Sequence, residues 1–209
     1  MKNDFGIGSF LTTLDSRYRG FTLRTDSDTD DAAELKKRTS SLKLALAQGR
    51  KLNANSTNNQ HSIQLAILGP TQAGKSTLVN AITGSDLAGV SALAGYTVHA
   101  QGILINTDKE DPSTGNAIDM VFGNYDRVNK DALSTDNLKQ YTLTTATEPN
   151  NSDLAPITVW DSPDFDSISA TNYSEAVLVT AALADIIIFV VSKDKYADRS
   201  VWNLSLIHI

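Results

Sequence analysis

Short apolar runs alternate along the chain with segments of helical spacing, and this pattern predicts the order of the elements. The clearest run, residues 62–68, is stopped by Gly69 and Pro70. Residues 75–83 then show helical spacing, with Gly84 just past the end. The pattern therefore predicts a strand, a loop and a helix in that order.

Further apolar runs predict five more strands, with one helix between the last two. The strands are predicted at residues 98–105, 117–122, 141–145, 157–160 and 186–191, and the helix at residues 173–183. The patterning is weak across residues 106–153, which are rich in Thr, Asn and Asp. Strands that alternate with helices indicate an α/β fold, in which helices cover a sheet.

The N-terminal part of the chain is predicted to form an appendage to this sheet. Residues 1–30 are polar, so we expect them to be flexible. Residues 31–48 are rich in good helix formers, and three of their leucines fall on one face: Leu35, Leu42 and Leu46. Residues 52–61 contain several turn formers, which predicts a linker. The predicted organisation is a flexible segment with one helix and a linker over residues 1–60, followed by the sheet domain over residues 61–209.

Composition and charge narrow the class of protein. With 209 residues, of which 41% are hydrophobic, the chain can bury one core of ordinary domain size. The formal net charge of −6 excludes a general positive field that would attract nucleic acid or anionic lipid. The absence of cysteine excludes disulfides, thiolate metal sites and cysteine nucleophiles. The three histidines are scattered, so nothing indicates a zinc site. The charge gives no evidence for a nucleic-acid partner.

The sequence shows no pattern typical of secretion or membrane insertion. The N-terminus lacks a sustained apolar core followed by a small-residue cleavage site. The longest apolar run, residues 176–191, is interrupted by Asp185 and falls short of the roughly 20 residues that cross a bilayer. We therefore expect a cytoplasmic protein.

A phosphate-binding pattern lies between the first predicted strand and the first predicted helix. It reads Gly-x4-Gly-Lys-Ser from Gly69 to Ser76. Glycines let the backbone curl so that successive N–H groups face a phosphate, and the helix N-terminus adds the positive end of its dipole. Lys75 would contact the β- and γ-phosphates of a nucleotide, and the Ser76 hydroxyl would bind Mg²⁺. The residues predicted to bind nucleotide are Gly69, Pro70, Thr71, Gln72, Ala73, Gly74, Lys75, Ser76 and Thr77.

A second, acidic part of the site is predicted at the end of another strand. A P-loop site needs a carboxylate that holds Mg²⁺ from the far side. Asp161 closes the apolar run at residues 157–160 and is followed by a loop. We therefore predict that Asp161 is a Mg²⁺ ligand together with Ser76. A solvated turn aspartate is the alternative.

Two segments of the sequence resemble bacterial GTPases of the translation-factor-related and dynamin-like kind. They are Leu-Gly-Pro-Thr-Gln-Ala-Gly-Lys-Ser-Thr-Leu-Val-Asn-Ala-Ile-Thr-Gly at residues 68–84 and Val-Trp-Asp-Ser-Pro-Asp-Phe-Asp-Ser at residues 159–167. The resemblance implies a G domain, which is a three-layer P-loop NTPase sheet with flanking helices that binds GTP with Mg²⁺. It also implies GTP hydrolysis, either as a molecular switch or as a dynamin-like mechanoenzyme. A protein partner, self-association through the G domain and membrane contact follow only by family analogy.

The resemblance also implies two switch segments. Thr97, next to the predicted strand at residues 98–105, is the candidate for the threonine that closes on Mg²⁺, with a strand-edge threonine as the alternative. Switch II corresponds to Asp161, Ser162, Pro163 and Asp164. The family has glycine where Asp164 stands, and that glycine offers its backbone N–H to the γ-phosphate. An aspartate there would bring negative charge close to phosphate, which bears on γ-phosphate sensing and on hydrolysis.

The guanine-specificity motif of the family, Asn/Thr-Lys-x-Asp, has no match in the sequence. Asn129, Lys130 and Asp131 resemble it, but the aspartate comes one residue too early and the run precedes Asp161. We therefore expect a fragment that is truncated before this motif, with an incomplete G domain. Two alternatives stay open, namely a P-loop ATPase or phosphotransferase, and a nucleotide-binding scaffold with little or no hydrolysis.

Overall fold

A computed structural model describes residues 6–22, 30–57, 62–89, 97–106, 112–146, 156–164 and 170–193. The helices in these residues are α1 (Ile7–Thr22), α2 (Asp30–Thr57), α3 (Lys75–Thr83), α4 (Pro112–Phe122) and α5 (Ala170–Leu183). The strands are β1 (Ile63–Leu68), β2 (Ala100–Ile105), β3 (Asp126–Arg127), β4 (Gln140–Thr145), β5 (Ile157–Asp161) and β6 (Ile186–Phe189). A short 3-10 helix, Lys130–Ala132, follows β3.

The six strands form one mixed sheet in the order β3-β4-β2-β5-β1-β6. β1 lies between β5 and β6 and runs parallel to both. β2 pairs antiparallel with β5, and β4 and β3 continue parallel to β2. The carboxyl ends of β5, β1 and β6 therefore meet at one edge of the sheet. Ligands of α/β sheets bind at such an edge, because the loops that leave the strands converge there.

Each face of the sheet has its own core, because successive residues of a strand point to opposite sides. On one face, Leu65 and Ile67 of β1 pack with Val79 of α3. On the other face, Ala66 and Leu68 of β1 join a cluster with residues of α2, α4 and α5. Helices thus cover both faces, which confirms the predicted α/β fold of a sheet with flanking helices.

Helix α2 lies against α4 and α5 rather than away from the sheet layers. Leu44 and Ala47 of α2 are buried in the same core cluster as the residues of α4 and α5. Lys43 Nζ forms an ion pair of 2.9 Å with the carboxylate of Glu175 on α5. Helix α2 is therefore bound to the sheet domain by both apolar and ionic contacts.

The N-terminal region differs from its prediction in two ways. Residues 7–22, which were expected to be flexible, form α1, and α1 packs on α2. Residues 1–5 and 23–29 lie outside the described residues. The helix predicted at residues 31–48 continues to Thr57 and takes up much of the predicted linker. Ala54 in this extension is buried, so packing overrides the weak helix propensity of the neighbouring Asn and Ser residues. The prediction of a single helix in this region was wrong.

One predicted strand, residues 117–122, is part of helix α4. Ile118, Val121 and Phe122 are buried, and their spacing of three and four residues is helical. A six-residue, mainly apolar run fits a strand or a buried helix equally well. The length of a helix becomes recognisable only when the residues from Pro112 onward are included. The other predicted strands and helices that fall on described residues are confirmed, within shifts of a few residues at their ends.

None of the helices in the described segments is both long and apolar enough to span a membrane.

Candidate functional site

The loop between β1 and α3, predicted to bind phosphate, has two residues in the left-handed backbone conformation. Gly74, the N-cap of α3, has φ 92° and ψ 21°, and Gln72 has φ 60°. Glycine adopts such left-handed angles without strain, which explains its place at position 74. Because the N-cap residue has no side chain, it does not cap the first N–H groups of α3, as in helices whose N-termini bind anions.

Gly69 is required by a close approach of two backbones. A Cβ at this position would overlap the backbone carbonyl oxygen of Val190, just beyond the end of β6. The amide of Val190 in turn donates a hydrogen bond of 2.8 Å to the Leu68 carbonyl. The start of the loop is therefore fixed against the neighbouring strand, which defines where the rest of the loop can lie.

Lys75 begins α3 and extends back across the loop. Its side chain is almost fully buried, with 4% exposed. Nζ donates a hydrogen bond of 3.0 Å to the Pro70 carbonyl and a second one to the Asp164 carboxylate. The lysine predicted to contact phosphate therefore holds a carboxylate of the switch II segment in this structure.

Ser76 and Asp161, the two predicted Mg²⁺ ligands, are in contact. Asp161 is the last residue of β5, where its register partners are Ile67 on β1 and Gln101 on β2. Ser76 Oγ donates a hydrogen bond of 2.7 Å to Asp161 Oδ2. Oδ1 of Asp161 is buried and accepts no hydrogen bond from the part of the chain that the structure describes.

Burial raises the pKa of Asp161 to about 6. The hydrogen bond from Ser76 and the charge of Lys75 act in the opposite direction, and the charge of Asp164 raises the pKa further. A buried carboxylate oxygen without a donor is unfavourable in a protein interior unless a cation or a proton compensates it. The serine hydroxyl and the carboxylate are hard oxygen ligands of the type that Mg²⁺ prefers, so the residues present fit a Mg²⁺ ion.

The predicted switch II segment, Asp161 to Asp164, is buried. Ser162 is fully buried and Asp164 is 5% exposed. The backbone N–H of Asp164 donates a hydrogen bond of 3.2 Å to the carbonyl of Thr97. The backbone N–H that corresponds to the family's γ-phosphate donor is therefore bonded within the protein.

Thr97 belongs to the same cluster through its backbone. It is 5% exposed and precedes β2, which begins three residues later at Ala100. Its position in the loop before the strand, in contact with Asp164, differs from that of a residue at the edge of the strand. The structure thus brings the two candidate switch segments together by a main-chain hydrogen bond.

The remaining predicted site residues differ in how far they are buried. Gly69, Pro70, Thr71 and Pro163 are buried, Ala73 is half-buried, and Gln72, Gly74 and Thr77 are exposed. Asn129 to Asp131, which we rejected as a guanine-binding motif, lie after the edge strand β3, and each of them is exposed. The ion pair of Lys75 with Asp164 is the feature that sequence reasoning missed. Its only signal was an aspartate in the place of a family glycine.

Comparison with known proteins gives one family. A family model described as 50S ribosome-binding GTPase matches residues 64–207. This span is more than half of the chain and includes the loop at residues 69–76, Thr97 and the segment from Asp161 to Asp164. The curated proteins give no match to the chain.

Proposed function

The chain belongs to this family of GTPases, and on that premise we propose that it binds GTP with Mg²⁺ at the loop and hydrolyses it as a molecular switch. The observation that carries the proposal is the hydrogen bond from Ser76 Oγ to Asp161 Oδ2, with Lys75 alongside. These are the two Mg²⁺ ligands and the phosphate-binding cation that the chemistry needs.

Phosphate binding is assigned to the backbone of residues 69–77 and to Lys75. Left-handed angles at Gln72 and Gly74 are typical of loops whose N–H groups turn inward, and α3 contributes its N-terminal dipole. Lys75 adds a buried positive charge, which interacts more strongly with phosphate than a solvated lysine does. These residues bind the triphosphate regardless of the base that it carries.

Magnesium binding is assigned to Ser76 and Asp161, with Thr97 as a further ligand when the switch closes. Mg²⁺ would neutralise charge on the phosphate oxygens. The orphaned oxygen of Asp161 supports the assignment, because a cation would compensate the charge that burial penalises. Thr97 is buried in the same cluster through its carbonyl contact with Asp164.

Hydrolysis would transfer the γ-phosphoryl group to water. The water oxygen forms a bond to the γ-phosphorus, the bond to the β–γ bridging oxygen breaks, and GDP and phosphate leave with the proton passing to phosphate or solvent. Lys75 and the loop N–H groups would stabilise the negative charge of the transition state.

A scaffold with slow or no turnover is the second candidate function, and the position of Asp164 favours it. The Asp164 carboxylate forms an ion pair with Lys75, and the Asp164 N–H donates a hydrogen bond to the Thr97 carbonyl. Release of phosphate from GTP under multiple-turnover conditions separates the two functions. Turnover that is lost in Lys75→Ala supports the switch, and tight binding without phosphate release supports the scaffold.

The wider role is a further part of the proposal. We propose that residues 1–60 are an appendage packed against the domain at residues 61–209, and that the exposed sides of α1 and α2 contact a protein partner or a later helical region. Self-association through the G domain, a dynamin-like mechanism and a cytoplasmic location also belong to this proposal. The family description names the 50S ribosome, but the net charge of −6 provides no general attraction for ribosomal RNA. We therefore propose nucleotide binding for this chain.

Binding of fluorescent GTP and ATP analogues to the full-length protein, with and without Mg²⁺, tests the proposed function. Lys75→Ala is expected to abolish binding, whereas Lys37→Ala on the exposed side of α2 is expected to leave it unchanged. A preference for ATP would overturn the guanine assignment. Equal binding by wild type and Lys75→Ala would overturn the assignment of the loop.

A further inference from the structure

We propose that Asp164 determines nucleotide specificity at this site, by competing with the terminal phosphate of GTP for Lys75 and so favouring GDP over GTP. The proposal rests on the proposed function, since it concerns the same loop. It goes beyond that function because it assigns a selective role to a residue at which the sequence departs from its family.

The Asp164 carboxylate lies on the lysine that should bind phosphate. Lys75 Nζ and Asp164 Oδ1 form an ion pair between side chains that are 4% and 7% exposed. Water therefore screens the pair weakly, and each charge depends on the other for compensation. A carboxylate resembles a phosphate group in being an anion with several acceptor oxygens, so it can occupy the same cation.

Two hydrogen bonds restrict the position of Asp164. Its backbone N–H donates to the Thr97 carbonyl at 3.2 Å. Three residues earlier, Asp161 is fixed in the sheet by β5 and accepts the hydrogen bond from Ser76. The segment between them is short, so the position of the carboxylate is determined by the surrounding structure rather than by a free side chain.

The charge of the γ-phosphate explains why GTP and GDP would bind with different affinities. The γ-phosphate of GTP brings additional negative charge to a region that already contains the carboxylates of Asp161 and Asp164. Two buried anions cannot share one lysine without strong repulsion, so GTP must displace Asp164 from Lys75. GDP lacks the terminal phosphate, and the N–H groups of the loop bind its β-phosphate, so it competes with Asp164 for Lys75 less strongly than GTP does.

Displacement of Asp164 would also release switch I. The carboxylate and the N–H that donates to the Thr97 carbonyl belong to the same residue, so a shift of the Asp164 backbone during displacement would break that hydrogen bond. Thr97 and the Asp164 N–H then become available together. The competition at Lys75 therefore couples the arrival of the γ-phosphate to both switch segments.

Binding of fluorescent GDP and GTP analogues to Asp164→Asn and Asp164→Gly tests the competition. Both variants remove the negative charge, and the second restores the family glycine. We expect GTP affinity to rise about tenfold or more, as is typical of close charge pairs, and GDP affinity to change much less. Asp126→Asn on the exposed edge strand β3 is the matched control and is expected to leave both affinities unchanged.

Three outcomes would overturn the inference. Equal GTP affinity in wild type and in both Asp164 variants would overturn it and leave the proposed function standing. Equal gains for GDP and GTP would also overturn it, because the carboxylate would then oppose any nucleotide. No binding of either nucleotide to any of the three proteins would overturn the inference and the proposed function together.

A double-mutant cycle without nucleotide provides a separate readout. Urea unfolding of Lys75→Met, Asp164→Asn and the double variant measures the coupling between the two side chains. We expect the double variant to be more stable than the sum of the single effects predicts, because each single change leaves one buried charge uncompensated. If the changes in the free energy of unfolding were additive, Lys75 and Asp164 would not be coupled in the nucleotide-free protein, and the inference would be overturned.

Discussion

Ser76 Oγ donates a hydrogen bond of 2.7 Å to Asp161 Oδ2, and this contact joins the first turn of α3 to the end of β5. The two residues are 85 positions apart in the chain. They meet because β1 and β5 are parallel neighbours, so the loops that follow them leave the sheet at the same edge. The same arrangement leaves the second oxygen of Asp161 buried among the described residues without a hydrogen-bond donor. The site therefore contains a buried carboxylate oxygen whose charge a cation would compensate.

Asp161→Asn is expected to stabilise the nucleotide-free protein at neutral pH. The pKa of Asp161 is raised to about 6 in the folded state, so folding favours the protonated form. Its contribution to stability is present below the ordinary pKa of a carboxyl and is lost as pH rises through about 6. The shift of roughly two units corresponds to about 3 kcal/mol, which the asparagine variant avoids above pH ~7.

Urea unfolding at a series of pH values measures this effect. Wild type should lose stability relative to Asp161→Asn between pH ~4 and ~7, and the two should converge below that window. Asp136→Asn, at an exposed turn, is the control and should follow wild type. A difference that is independent of pH would show that the titration of Asp161 is not its cause.

Ser76→Ala is expected to destabilise the nucleotide-free protein by about 1–3 kcal/mol at neutral pH. The substitution removes the donor to Oδ2, and Oδ1 accepts no hydrogen bond from the described residues. The full cost of desolvating the buried Asp161 carboxylate then remains. Chemical denaturation measures the change. Ser41→Ala, at an exposed position of α2, should alter stability by less than about 0.5 kcal/mol. An equal effect of both substitutions would contradict the role of the hydrogen bond.

Gly69→Ala is expected to disturb the loop and to lower stability by about 1–3 kcal/mol, because overpacking forces the backbone to move. The added Cβ would overlap the Val190 carbonyl oxygen, and separating the loop from β6 would also weaken nucleotide binding. Gly49→Ala in α2 has open space around its Cβ and should raise stability by roughly 0.5–1 kcal/mol. Thermal unfolding and nucleotide binding of the two variants check both expectations.

Leu44→Ala is expected to destabilise the whole sheet domain by about 2–5 kcal/mol, in one cooperative transition. Leu44 is buried in the core cluster that α2 shares with α4 and α5. Leu52 on the same helix is 71% exposed, so Leu52→Ala should change stability by less than about 0.5 kcal/mol. Separate unfolding of α2, or an unchanged midpoint for Leu44→Ala, would contradict its integration into the domain.

The central elements and the main site residues could be predicted from sequence because their signals are local. The run at residues 62–68, the glycine pattern and the helix at residues 75–83 follow each other without interruption. Asp161 was identifiable because an acidic residue directly follows an apolar run. Parallel pairing of the two strands then places the two loops together, which the α/β pattern already implied.

The features that escaped prediction depend on packing between distant segments. The extension of α2 to Thr57 needs the burial of Ala54, which its polar neighbours do not suggest. α4 was mistaken for a strand because its buried residues form a short apolar run. The contact of Lys75 with Asp164 joins residues 89 positions apart, and no local pattern encodes the direction of either side chain. The sequence therefore identified the charge at position 164 but not its partner.

Calorimetric titration of the full-length protein with GTP, in the presence and absence of Mg²⁺, tests the central claim most directly. We predict that GTP binds with Mg²⁺, that affinity falls when Mg²⁺ is removed, and that Lys75→Ala abolishes the binding heat. GTP binding that is the same with and without Mg²⁺ and survives Lys75→Ala would contradict the assignment of Lys75, Ser76 and Asp161 as the nucleotide site.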